Sequence, residues 1–250
     1  MTGDKELSGK VAVVTGSGRN IGRAIALALA AGGAAVVVNA RSNRAEADAV
    51  VGEIESAGAR AAAVIGDVAD AATAKNLAAA AERFGRLDFL VNNAAIRKEK
   101  PLDQMSFEEW REVHSIILDG AFRCVQACLP LLRKSGAGAI VNIGGMSAHA
   151  GSKNRAHVIA AKSGLVGFTK ALAHDLAADK VTANYLSPGL IKTAREAGAA
   201  EPHHHQVHST LTGERGTPED IAATVRFLCG PGARYITGQT IHVNGGAYLG

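Results

Sequence analysis

A chain of 250 residues, 47% of them hydrophobic, can bury the core of one domain, and residues 1–250 are read as a single unit. Its formal charge of +4 comes from Lys and Arg scattered along the chain, which gives a solvated surface with a mild bias toward anionic ligands. Only 4% of residues are aromatic, no basic run interleaves with them and no uninterrupted apolar run has the length of a membrane span, so nucleic acid and membrane are not expected as partners. Cys124, Cys128 and Cys229 are odd in number and lack CxxC spacing, which reads as buried thiols in a reducing compartment. Together with an N-terminus lacking an apolar signal core, this leads to a cytoplasmic expectation.

In chain order, the apolar run Val11 to Val14 predicts a first strand, and Ile21 to Leu29 predicts a helix. Between them Thr15 to Gly22 forms a glycine-rich turn. Small residues there let the backbone approach a pyrophosphate, and the helix start presents free N–H groups and a positive dipole end. Gly16, Ser17, Gly18, Arg19, Asn20, Ile21 and Gly22 are therefore assigned to a phosphate cradle. Gly32 and Gly33 end the helix, and Ala34 to Asn39 is a second strand. Asn43 to Ala57 is a helix with Ala45, Ala49 and Ile54 on its inner side. Ala61 to Ile65 is a third strand, followed by Asp67 and Val68, with Asp67 placed to cap a helix over Ala71 to Phe84. Leu87 to Val91 is a fourth strand, running into Asn92, Asn93, Ala94 and Ala95. Strands alternating with helices predict an α/β fold of the Rossmann type: a doubly wound parallel sheet of about seven strands, with the strand ends gathered on one edge.

Ala40, Arg41 and Ser42 stand at the carboxyl end of the second strand, where an acid would bind the ribose 2′-hydroxyl of NAD and an arginine the 2′-phosphate of NADP. With Arg41 there and Arg19 in the turn, NADP(H) is expected over NAD(H), although both arginines could also be solvated surface residues.

These segments resemble the short-chain dehydrogenase/reductase family along nearly the whole chain. Gly66-Asp67-Val68 is similar to the family's adenine-binding segment, and Asn92-Asn93-Ala94-Ala95 to its Asn-Asn-Ala-Gly segment. Asn184 to Gly189 with Thr193, then Arg215 to Ile221, Thr237 to Gln239 and Val243 to Gly246 match its later segments. The resemblance implies cofactor contacts at Asp67, Val68, Asn93, Ala94, Ala95, Lys162, Pro188 and Gly189, and a substrate lid at about 191–214. It also implies two long helices, Met105 to Leu132 and Asn154 to Ala178, that pair subunits into a homo-oligomer, a tetramer or a dimer. Strands over Ala139 to Ile143 and Val181 to Leu186 accompany them.

The family's catalytic groups do not all carry over. Its Tyr-x-x-x-Lys pair aligns with Val158 and Lys162, its serine with Gly145 and its asparagine with Ile117. Tyr185, Tyr235 and Tyr248 are the only tyrosines, and none has a lysine four residues on, so no shift of register restores the pair. Reduction of a carbonyl still needs a proton donor. Catalytic assignments are Lys162, His149 and His157, with Ser147, Arg155 and Tyr185 as further groups near the site. No metal is expected: His204 and His208 have helical i, i+4 spacing, but no third ligand is fixed nearby. The leading reading is an NADP(H)-dependent oxidoreductase acting on a small carbonyl or alcohol, or a related C=N or C=C substrate. A redox-neutral lyase, isomerase or dehydratase and a non-catalytic NADP-binding subunit remain open alternatives.

Overall fold

The computed structural model describes residues 5–194 and 209–250. Its strands are β1 (Val11–Val14), β2 (Ala35–Ala40), β3 (Ala61–Ile65), β4 (Phe89–Asn92), β5 (Ala139–Ile143), β6 (Thr182–Pro188) and β7 (Thr240–Val243). They form one parallel sheet in the order β3-β2-β1-β4-β5-β6-β7. The principal helices are α1 (Asn20–Ala31), α2 (Arg44–Ser56), α3 (Ala71–Glu82), α4 (Phe107–His114), α5 (Gly120–Lys134), α6 (Ser147–Ala150), α7 (Ala156–Asp175) and α8 (Pro218–Cys229).

Alternation along the strands builds two cores. Ala12, Val14, Val36 and Val38 face α1, α2 and α8, whereas Val11, Val13, Ala35 and Val37 face α3, α5 and α7. Both faces are covered, which is why β1 and β2 read as continuous apolar runs rather than alternating ones. The chain winds outward from β1 to β3 and then crosses back to β4, so strand order reverses beside β1. Ligands in such sheets bind at that switch, outside the carboxyl ends of the strands.

Several expectations shift in detail. The inner face of α2 is Ala47, Val50 and Ile54, while Ala45 and Ala49 are exposed, because the helix lies rotated on the sheet relative to the alanine-based reading. Asp70, not Asp67, holds the N-cap position of α3; Asp67 Oδ1 instead accepts from Ala69 N at 3.0 Å and tightens the turn ahead of it. The long helix starts later than expected, at Phe107, because Ser106 and Glu109 form a reciprocal capping box there. It is also not uniform, since Ser115–Asp119 is a π-helical turn between α4 and α5.

The run Phe107–Lys134 does reach the length and hydropathy of a membrane span. In this fold its apolar side, including Val113, Ile116, Cys124, Cys128 and Leu132, is buried against the protein's own cores. Cys124, Cys128 and Cys229 are free and buried, and burial pushes the Cys124 thiol up to about 12.

Candidate active site

A cleft of about 880 Å³ runs along the carboxyl ends of the strands, within the range of cofactor and ligand sites. One end is the glycine turn. Gly16 has φ +60°, and a Cβ there would lie 2.9 Å from Ala94 Cα. At Gly22 a Cβ would meet the Gly16 carbonyl oxygen at 2.2 Å. Asn20 has φ 51°, the left-handed geometry that asparagine tolerates in place of glycine. No side chain caps α1, so the N–H groups of its first turn stay available at the cleft.

Buried amides hold this turn in place. Asn39 Oδ1 accepts from Gly16 N at 3.1 Å, and its Nδ2 donates to the carbonyls of Val64 and Gly66, each at 3.1 Å. One side chain thereby ties the ends of β1, β2 and β3 together. On the other side Thr15 Oγ1 accepts from Asn93 N and Ala94 N, while Asn93 Nδ2 donates to the carbonyls of Thr15 and Gly16. Arg19, Ala40, Arg41, Ser42, Asp67 and Val68 line this half of the cleft, with Arg19, Arg41 and Ser42 solvent-exposed. Ser17 lies just beneath, with its hydroxyl donating to Val14 O at 2.7 Å and accepting from Asn39 N.

The other half is built by the ends of β5 and β6 and the start of α7. Ile143, Gly144, Gly145, Ser147, Arg155, Lys162, Pro188 and Gly189 line it. Lys162 Nζ donates to Gly144 O at 2.6 Å. Burial, then the nearby Arg97 and Arg155, pull the lysine pKa down to about 7. Below Gly144 lies Tyr185, fully buried on β6, whose phenol oxygen accepts from Gly145 N at 3.2 Å. A Cβ on Gly144 would stand 1.7 Å from that oxygen, so the tyrosine occupies the space that a side chain at 144 would need. Burial pushes the Tyr185 phenol up to about 12.

A family model described as enoyl-(acyl carrier protein) reductase matches residues 16–248. The 3-oxoacyl-[acyl-carrier-protein] reductase FabG of Staphylococcus aureus (strain Mu50) is 40% identical over 242 residues, covering 96% of this chain and 98% of that protein. The 3-oxoacyl-[acyl-carrier-protein] reductase of Synechocystis sp. is 43% identical over 246 residues, 97% of this chain and 98% of the relative. Among solved structures, a short chain dehydrogenase from Burkholderia cenocepacia J2315 in complex with NADP superposes with a TM-score of 0.89 at 35% identity, over 97% of this chain and 99% of the other. The chain belongs to the short-chain dehydrogenase/reductase family.

Ile117 and Val158, at the positions aligned with the family's asparagine and tyrosine, are buried in one apolar cluster with Val113, Ala121, Ala161, Leu165 and the Tyr185 ring. The π-helical turn sits at Ile117. A Cβ at Gly145 would stand in ordinary van der Waals contact with Lys162, 3.4 Å from its Nζ.

The two histidines assigned to catalysis from sequence do not line the described cleft. His157 is fully buried, and burial holds it below the ordinary histidine value. It adjoins Val158 in sequence but is turned about 100° from it around the helix. His149, on the short helix α6, stacks edge-on against His242 at 4.8 Å and lies 5.7 Å from the Tyr185 ring. Burial, and then His242, keep it below its usual value. His204 and His208 lie outside the described residues, as does most of the segment read as a lid.

Sequence reading missed Asn39 and the buried relay beneath the site. There Asn92 Nδ2 donates to Asn142 Oδ1 at 2.8 Å, and Asn142 Nδ2 donates to Thr169 Oγ1 at 2.9 Å. The only available signal was a polar residue inside an apolar strand, which does not say what it bonds.

Proposed function

We propose that this protein is an NADP(H)-dependent oxidoreductase of a small carbonyl or alcohol, or a related C=N or C=C substrate, in which Lys162 takes the place of the usual phenol as the proton-carrying group. One observation carries the reading: a single cleft joins a pyrophosphate-sized glycine cradle, flanked by Arg19 and Arg41, to Lys162 at the opposite end. The residues fit a dinucleotide. Side chains at Gly16 and Gly22 would collide with their neighbours, so the backbone lies bare where a pyrophosphate needs close approach.

Gly16 to Gly22 would hold the pyrophosphate, Arg19, Arg41 and Ser42 a 2′-phosphate, and Asp67 and Val68 the adenine side. Asn93, Ala94, Ala95, Pro188 and Gly189 would flank the nicotinamide riboside. When bound, the dinucleotide supplies or accepts the hydride. Lys162 then delivers a proton to the substrate oxygen during reduction or withdraws it during oxidation. Its Nζ is already desolvated and held by Gly144 O, with a pKa of about 7 suited to both directions near neutral pH. Neither His149 nor His157 lines the cleft, and His157 would have to leave a fully buried position to compete for this role.

The relatives named 3-oxoacyl-[acyl-carrier-protein] reductase support carbonyl reduction as the chemistry. We further propose a cytoplasmic homo-oligomer. The three buried free thiols suit a reducing compartment, and Phe107 and Phe122, 71% and 50% exposed along α4 and α5, offer an apolar face for a second subunit.

The test is NADPH oxidation by the purified protein across carbonyls, imines and enones, with NADP⁺ reduction by alcohols in reverse. Substrate-dependent turnover with stoichiometric cofactor consumption is expected. Absence of turnover across both panels, despite bound cofactor, would refute the reading.

A further inference from the structure

We infer that Asn20 is the catch of a latch on the cofactor channel: its side-chain amide holds Ala194 across the carboxyl edge of the sheet, and the dinucleotide enters or leaves when that pair opens. This rests on the dinucleotide reading of the cleft and adds control of cofactor exchange to it.

The contact joins residues 174 apart in the chain. Asn20 Oδ1 accepts from Ala194 N at 2.9 Å, and Asn20 Nδ2 donates to Ala194 O at 3.3 Å. One amide thus satisfies both backbone groups of one residue, as a neighbouring strand would. Two demands select the residue type. At φ 51° the backbone of position 20 is left-handed, which glycine, asparagine and aspartate tolerate best. Of these three, asparagine alone carries both a donor and an acceptor; an ionised aspartate only accepts, and glycine does neither. Asn20 therefore keeps the turn and makes the catch.

Topology puts the catch across the cleft. In the sheet, β5 and β4 lie between β6 and β1. At about 4.8 Å per strand, the chain leaving Pro188 must run about 14 Å sideways to reach the turn after β1. The stretch from Gly189 to Ala194 can span about 20 Å when extended, enough for that crossing. This strap is fixed at its root, where Ile191 forms a parallel bridge with Gly216 and Lys192 N donates to Gly216 O at 2.8 Å. At its tip, among the described residues, Asn20 holds Ala194, and Arg97 Nη1 donates more weakly to Thr193 Oγ1 at 3.5 Å.

Asn20, Ile191, Thr193 and Ala194 line the same cleft as Arg41 at one end and Lys162 at the other. A dinucleotide reaching from Arg41 to Lys162 has to pass the strap. Both bonds of the catch are solvent-exposed, so it is weak enough to open during turnover. The pair forms within the protein rather than to the cofactor. It therefore slows entry and exit by the same factor and leaves the equilibrium nearly unchanged.

The experiment is stopped-flow fluorescence on the full-length protein, following NADPH binding and its displacement by excess NADP⁺. Asn20→Gly should raise both rate constants about tenfold while Kd stays within about twofold. Ala194→Pro removes the N–H that Asn20 accepts and leaves the glycine turn untouched. It should speed both steps as well, and the double variant should be no faster than Asn20→Gly alone. Rates that move in neither variant would overturn the inference. So would faster release with unchanged entry and proportionately weaker binding, which would make Asn20 a direct cofactor ligand. If the unaltered protein binds no NADPH, the cofactor reading falls and the latch with it; binding with unmoved rates removes the latch alone.

Discussion

Replacing Lys162 with methionine removes the proposed proton-carrying group while keeping a side chain of similar length in the cleft. The size of the effect follows from its surroundings. Nζ has one carbonyl partner, Gly144 O at 2.6 Å, and burial with Arg97 and Arg155 brings its pKa from 10.5 to about 7. Reduction uses the ammonium form, so kcat/KM should fall about tenfold per pH unit above about pH 7, while oxidation should rise toward a plateau over the same range. Lys162→Met should lower kcat by about 10²–10⁴ and abolish that inflection. Arg155→Met should raise it, because a neighbouring cation is lost.

Stability should follow the same group. Between about pH 7 and 10.5 the unfolded chain binds the lysine proton and the folded chain does not, so stability attributable to this group rises with pH across that window. Below it the cost of a charged Lys162 is fully present, roughly 3–6 kcal/mol at about 1.4 kcal/mol per pKa unit, and Lys162→Met should remove it. Steady-state pH profiles in both directions and urea unfolding near pH 7 and pH 10 provide the measurements. A reductive profile that stays flat from about pH 6 to 9, or one whose inflection persists in Lys162→Met, would refute this role for the lysine.

Arg41→Ala should weaken NADPH binding by about 10- to 100-fold and leave NADH within about twofold, since the lost contact is to the 2′-phosphate; equal weakening in fluorescence titrations would argue against that contact. Gly144→Ala should destabilise the protein by about 1–3 kcal/mol, because the new Cβ meets the Tyr185 phenol, and Tyr185→Val in the same chain should recover part of the loss in urea unfolding. Purely additive effects would contradict the shared space. Asn39→Leu strips the partners from Gly16 N and from two carbonyls, so it should cost about 2–4 kcal/mol and loosen cofactor binding, and an unchanged melting temperature would count against the tie.

The order of apolar runs and glycine turns was enough to establish the parallel doubly wound sheet, because periodicity and turn chemistry are local properties of the chain. The glycine turn at the cleft was legible for the same reason. Gly16, Asn20 and Gly22 are each required by backbone geometry within one turn, and Asn20 does adopt the left-handed conformation that its place in the motif demands. The absence of a tyrosine four residues before Lys162 was equally plain from residue identity alone.

Tertiary structure decided the long-range relations. Asn39 reaches across three strand ends, and no spacing rule reveals a bond between residues 39 and 66. His149 and His157 looked eligible by proximity along the chain, yet chain proximity does not fix which side of a helix faces a cleft, and neither is among the residues that line it. Tyr185 lies forty residues beyond Gly145, but parallel pairing of β5 with β6 brings its phenol beneath that loop. The charge on Lys162 belongs to the same class: its identity was visible in the sequence, but desolvation and the two arginines that retune it exist only once β4, β5 and α7 are assembled around one space.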